Sequence, residues 1–264
     1  MSRQQAVFYF MIGIFDSGVG GLSLLNAVQK AYPSEDCIYI SDNKYAPYGE
    51  KKIDFILERC QKHAEFFIEQ GVRLIIIACN TATTIAISAL RETYDIPFIG
   101  IEPAIKPAIQ LSTSSKIGVI ATRATLSSTL YNATKQKYAS TSTVVERVGE
   151  GFVEAVESGN TQSENFQNKL RETVLFFEAH KVNFVVLGCT HYFFLKEQLA
   201  RIAGNKMKFI EPTEAVINRL KDVYRENDVR QTEKSKTLIY CSGAMDAVQR
   251  ILKDRQFTLL KLQY

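Results

Sequence analysis

An α/β fold is expected, built as two pseudo-symmetric lobes, each a mostly parallel sheet flanked by helices. Three observations point to it. Short apolar runs rich in β-branched residues alternate with longer amphipathic stretches, the order of parallel sheets covered on both faces. The strongest runs, LIIIA (74–78) and FVVLG (184–188), show no period-two alternation, as strands buried on both sides do not. The pattern also recurs. IGIFDS at Ile12 returns as IGVIAT at Ile117, 105 residues on, and an apolar run ending at Cys79 returns at Cys189, 110 residues on. Two matches at nearly one offset read as an internal duplication.

In chain order, AVFYFMIGIF (6–15) has the length of a signal-peptide core and follows Arg3, but no small-residue cleavage site follows it. It reads as the first strand, Ile12–Phe15, behind an extension of residues 1–10, with Met11 an alternative start. Further strands are expected at Cys37–Ile40, Leu74–Ala78, Phe98–Ile101, Lys116–Ala121, Thr143–Val148, Phe184–Leu187, Lys208–Ile210, Thr237–Cys241 and Phe257–Leu260. Helical spacing places helices at Leu22–Ala31, Phe55–Gln70, Phe166–His180 and Glu214–Glu226. The lobes part near GIEPAIKPAIQ (100–110), where Pro103 and Pro107 interrupt the pattern. The expected division is a first lobe of 11–102 plus 212–264 and a second of 103–211.

A chain of 264 residues with 46% hydrophobic content has ample core for this plan. The net charge of +4 is spread out, with Lys51-Lys52 the only adjacent basic pair, so no nucleic-acid stripe is expected. No apolar run approaches the ~20 residues of a membrane helix. Five cysteines without C-x-x-C do not form a disulfide framework, which suits a reducing cytoplasm.

Ligands of open α/β sheets sit at the carboxyl ends of strands. Polar groups fall there at Asp16-Ser17, Asp42-Asn43, Cys79-Asn80-Thr81, Thr122, Cys189-Thr190-His191 and Cys241-Ser242. The loop FDSGVGGLS (15–23) lacks the third glycine of a dinucleotide fingerprint and any Gly-Lys-Ser/Thr. It reads equally as a plain strand-to-helix turn or as the phosphate loop of a kinase-like ATPase. Cys37 and Cys60 read as small core residues, Cys241 as a strand-end packing residue, His63 as surface or core, and His180 as the end of a helix.

Cys79 and Cys189 stand where helices are expected to begin, with Asn80, Thr81 and Thr190 as caps. The field of a helix N-terminus lowers a thiol pKa, and His191 could exchange a proton with Cys189. A zinc site of Cys79, Cys189 and His191 lacks standard local spacing. A redox pair lacks C-x-x-C, and a single-cysteine hydrolase leaves the second motif unexplained. A racemase must reach both faces of one carbon, and two acid/base thiols on facing lobes do so. A module that binds acidic amino acids without turnover is a further alternative.

The motifs IGIFDSGVGGLSLL, YAPYGEK, LIIIACNTAT and VVLGCTHYFFL closely resemble those of glutamate racemases, over nearly the whole chain from Met11. The resemblance implies cofactor-independent racemisation of L- to D-glutamate for peptidoglycan, in the cytoplasm, with no metal and the active site at the lobe interface. Aspartate racemases, the sister enzymes, typically differ after each cysteine. It further implies that Cys79 and Cys189 are the acid/base pair, assisted by Asp16 and His191 respectively. Ser17, Tyr48, Gly49, Asn80, Thr81, Thr122 and Thr190 would hold substrate, together with Asp16 and His191. Glu157 would support them, although GEGF (149–152) departs from the family's Cys-Pro-containing stretch. Related enzymes often dimerise. Glutamate is the one partner implied, with neither nucleic acid nor membrane.

Overall fold

A computed structural model describes residues 11–112, 116–138, 142–226, 235–253 and 256–264; the expected extension of residues 1–10 lies outside them. The strands are β1 (Met11–Asp16), β2 (Asp36–Ser41), β3 (Leu74–Ile77), β4 (Phe98–Gly100), β5 (Lys116–Ala121), β6 (Thr143–Val148), β7 (Phe184–Gly188), β8 (Lys208–Ile210), β9 (Thr237–Cys241) and β10 (Thr258–Lys261). The helices are α1 (Leu22–Ala31), α2 (Ile53–Glu69), α3 (Asn80–Thr93), α4 (Ile105–Leu111), α5 (Arg123–Ser127), α6 (Thr129–Lys137), α7 (Phe152–Ser158), α8 (Glu164–Ala179), α9 (Lys196–Ala203), α10 (Thr213–Glu226) and α11 (Asp246–Ile251).

The strands form two sheets, ordered β10-β9-β2-β1-β3-β4 and β6-β5-β7-β8, with every pairing parallel. The order β2-β1-β3-β4 of the first sheet is repeated as β6-β5-β7-β8 in the second. The register repeats as well: Gly13 pairs Ile75, and Gly118 pairs Val185. Each of these glycines sits under an aromatic ring. A Cβ at Gly13 would lie 2.8 Å from the ring of Phe67, and one at Gly118 would lie 2.7 Å from that of Phe177. Phe67 and Phe177 are separated by the same 110 residues as Cys79 and Cys189. The repeated Ile-Gly is thus a packing rule used twice, in which the strand gives up a side chain so that the helix before the cysteine strand can seat a phenylalanine.

All four residues of β3, Leu74–Ile77, are fully buried, which explains the absence of alternation. Burying such side chains contributes roughly 1.5–3 kcal/mol each. Helix α1 turns Leu22, Leu24, Leu25 and Val28 inward. Helix α7 is bounded by two left-handed glycines, Gly151 (φ 80°) and Gly159 (φ 79°), a conformation glycine adopts without steric cost. No helix among the described residues is long and apolar enough to cross a membrane.

Candidate active site

The cleft lies where the strand ends of the two sheets meet. From the first lobe, β1 delivers Asp16, which is fully buried. Its Oδ1 accepts the Gly18 N–H (2.7 Å) and its Oδ2 accepts the Thr190 hydroxyl of the second lobe (2.8 Å). After β3, Cys79 is itself the N-cap of α3: its Sγ accepts the Ala82 N–H at 3.4 Å, and its thiol donates to Ser17 Oγ at 3.6 Å. Asn80 and Thr81 fill the first turn behind it. From the second lobe, Thr122 caps α5 by accepting the Thr125 N–H, and its hydroxyl meets that of Thr81 at 2.9 Å. Cys189 follows β7, and its Sγ lies 3.9 Å from His191 Nδ1. His191 Nε2 pairs with Glu157 Oε1 at 2.7 Å, and the same oxygen accepts the Val19 N–H of the first lobe at 2.8 Å.

Ser17, Tyr48, Gly49, Cys79, Asn80, Thr81, Thr122, Cys189, Thr190 and His191 all line one cleft. Asp16 and Glu157 stand immediately behind this lining. Pro47 and Val153 also line it and were not foreseen. Pro47 had a signal, as the neighbour of Tyr48 in YAPYGEK; Val153 is one apolar residue of an amphipathic helix and had none. Cys241 is buried at the end of β9, away from this lining. About 250 Å³ of space lies among these side chains, open solvent included, and about 10 Å³ of it is cavity, room for about one water.

The glycine loop is filled by side chains of the opposite lobe. A Cβ on Gly18 would lie 1.8 Å from Glu157 Oε1, and one on Gly20 would lie 2.5 Å from Thr190 Oγ1 and 2.6 Å from His191 Nδ1. These glycines let Glu157, Thr190 and His191 press against the first lobe.

Three expectations are corrected. Cys189 is followed by a 3-10 segment, Thr190–Leu195, and α9 begins only at Lys196, because Tyr192, Phe193 and Leu195 are drawn into the core. The caps are not Asn80, Thr81 and Thr190: Cys79 caps α3, and the Thr190 hydroxyl goes to Asp16. The Cys79 thiol is not acidified; burial, reinforced by the Asp16 carboxylate, pushes it up to about 12 against the Ala82 N–H. Desolvation outweighs the helix field here, so Cys79 rests as a thiol. Burial also raises Asp16, against the opposing pull of His191, Thr190 and Gly18. Burial disfavours charge on His191, but Cys189 and Glu157 outweigh it and hold the imidazole well above its ordinary value. Among the described hydrogen bonds Asp16 has none to Cys79; it acts on that thiol by charge.

The chain is similar to known proteins in sequence and in overall fold. The family model described as Asp/Glu/Hydantoin racemase matches residues 22–220. A glutamate racemase of Clostridium novyi is 40% identical over 92% of this chain and 94% of its own, and one of Stutzerimonas stutzeri is 36% identical over 91% and 92%. The crystal structure of Escherichia coli glutamate racemase with L-glutamate and activator UDP-MurNAc-ala matches with a TM-score of 0.87 at 29% identity, over 97% of this chain and 98% of its own. The Francisella tularensis glutamate racemase in complex with D-glutamate matches with a TM-score of 0.84 at 29% identity, over 97% and 98%.

Proposed function

The chain belongs to the Asp/Glu/hydantoin racemase family, and from that premise we propose that it interconverts L- and D-glutamate by a two-thiol mechanism. The observation that carries the reading is that Cys79 and Cys189, from equivalent strand ends of the two lobes, line one cleft. In one direction a thiolate takes the α-proton, leaving its electron pair on Cα and the adjacent carboxylate. The opposite thiol then gives its proton to the other face, and the two sulfurs finish with their protonation exchanged. Cys79, resting as a thiol, is the proton donor of one direction. His191, held at Nε2 by Glu157 and 3.9 Å from Cys189 Sγ, takes up or returns the Cys189 proton. Asp16 sets the charge beside Cys79.

Among the described residues Asn80 Oδ1 is buried without a hydrogen-bond partner, an acceptor suited to the substrate ammonium. The Ser17, Thr81, Thr122 and Thr190 hydroxyls and the Gly49 backbone suit its carboxylates. A cavity this small means that the lobes part to admit substrate. In the cell the product would be D-glutamate for peptidoglycan, made in the cytoplasm without a cofactor by an enzyme that pairs as a homodimer.

The test is incubation of the purified protein, with no added cofactor, with L-glutamate and separately with L-aspartate. Decay of the glutamate circular-dichroism signal to zero, with aspartate unchanged, is the expected result. Decay of aspartate alone would transfer the assignment to the sister activity, and stability of both in folded protein would end the racemase reading.

A further inference from the structure

Two strand-end carboxylates flank the cleft, and they are treated differently. Asp16 faces the lobe junction. Asp42, after β2, is sealed inside the first lobe with Arg59 and His63, all three at most 4% exposed. Arg59 grips Asp42 as a fork, Nε to Oδ2 at 2.9 Å and Nη2 to Oδ1 at 2.8 Å. The Tyr48 hydroxyl donates to Asp42 Oδ2, and His63 Nε2 lies 3.3 Å from the same oxygen. Three of these contacts converge on Oδ2 and one falls on Oδ1, so the carboxylate is held from both oxygens. Arg59 and His63 are four residues apart on α2 and so share a face. His63 Nδ1 meets the Tyr264 hydroxyl at 2.6 Å, and the Arg59 guanidinium lies over the Tyr45 ring, 4.7 Å from its centroid.

A buried ion pair is weak evidence for stability, so what this one holds in place is the informative part. Among its described members only Tyr48 is at the cleft, its hydroxyl turned into the lobe while the residue lines the cavity. The next residue, Gly49, lies against the second lobe, where a Cβ would be 2.9 Å from Thr122 Cβ. The Tyr48–Gly49 backbone is therefore clamped between the network and Thr122.

We propose that Asp42, Arg59 and His63 are positioning residues that fix the Tyr48 hydroxyl and thereby hold the Tyr48–Gly49 backbone at the spacing the cleft needs for a substrate carboxylate. The role in binding rests on the racemase reading above. The positioning itself does not.

The experiment is a double-mutant cycle on the full chain with Arg59→Lys, which keeps the charge and loses the fork, and Tyr48→Phe; His63→Gln with Tyr48→Phe forms a second cycle. Each single variant should raise KM for glutamate about tenfold with kcat changed less than about threefold. The double variant should be no worse than the poorer single, because both act through one hydroxyl, whereas independent effects would multiply to about a hundredfold. In ligand-free protein labelled with ¹⁵N-glycine, the Gly49 amide resonance should shift in all three single variants. Multiplying effects, or an unmoved Gly49 resonance in folded variants, would overturn the proposal. Wild-type protein that leaves both glutamate isomers unchanged would remove the racemase reading alone, and the Gly49 resonance would still decide the positioning. If Arg59→Lys or His63→Gln fails to fold, the cycle built on the other decides; if Tyr48→Phe fails, the Gly49 resonance in the Arg59 and His63 variants decides.

Discussion

At the residue scale the chemistry rests on two sulfurs with different surroundings. Cys79 is a buried thiol beside Ser17 and the Ala82 N–H; Cys189 faces an imidazole backed by a carboxylate. Cys79→Ser and Cys189→Ser should each lower racemisation by about 10²–10⁴-fold, the usual worth of a positioned acid or base, as followed by circular dichroism. Gly18→Ala tests the packing behind His191. Its Cβ would fall 1.8 Å from Glu157 Oε1, the far end of a flexible side chain, and moving it aside unpairs buried His191 and the Val19 N–H at a cost of about 1–3 kcal/mol. The expected outcome is loss of activity in a protein that still folds, with the melting temperature lowered by several degrees; retained activity would contradict this role of the Glu157 contact. The two cysteines and their neighbours were readable because they are contiguous in sequence. The pairing of Asp16 with Thr190, 174 residues away, was not, because only the fold brings the two together.

At the scale of elements, every strand lies within one residue of its expected bounds, since the strands are short β-rich apolar runs with polar ends. The helix starts were less legible. Helix α8 begins two residues before its first apolar residue, Phe166, because Ser163 caps it by accepting the Phe166 N–H. The segment after Cys189 was misread because THYFFL (190–195) carries helix-like spacing while its rings are pulled inward as a 3-10 turn. The Asp42–Arg59–His63 cluster joins a strand end to a helix, and neither periodicity nor motif signals such a meeting. That cluster carries a stability prediction. Burial opposes the Asp42 charge, but hydrogen bonds from His63 and Arg59 outweigh it and hold the carboxyl below the usual range. A depressed folded-state pKa stabilises above the unfolded value of about 3.9 and loses that contribution as pH falls toward the folded one. Asp42→Asn also strands a buried Arg59, at a cost of roughly 3–5 kcal/mol. Denaturant melts should therefore show a wide gap between wild type and variant at pH 7 that narrows below about pH 4. A gap independent of pH would contradict this account of the network.

At the scale of the whole molecule, the two lobes close on each other through side chains rather than through a shared sheet. Val19 donates to Glu157, Thr190 to Asp16, and the Thr81 and Thr122 hydroxyls meet. Arg250 of α11 reaches across to the Glu157 carbonyl at the end of α7 (2.6 Å). A cavity with room for about one water requires these contacts to open for substrate, so glutamate should slow hydrogen exchange across 18–21 and 190–191 while leaving β3 unchanged. Equal exchange with and without glutamate would mean that the lobes do not part. The duplicated architecture was legible as the recurring Ile-Gly and cysteine runs, and its shared Gly–Phe packing gives that repeat a physical cause. The central claim is that one thiol removes the α-proton and a different thiol supplies its replacement from the other face. The most direct measurement is the early time course of L-glutamate turnover in D₂O, with product and remaining substrate separated and each assayed for α-deuterium. Two thiols predict D-glutamate carrying deuterium while the recovered L-glutamate keeps its protium; product that retains the original proton would contradict the account and leave a single shuttling base.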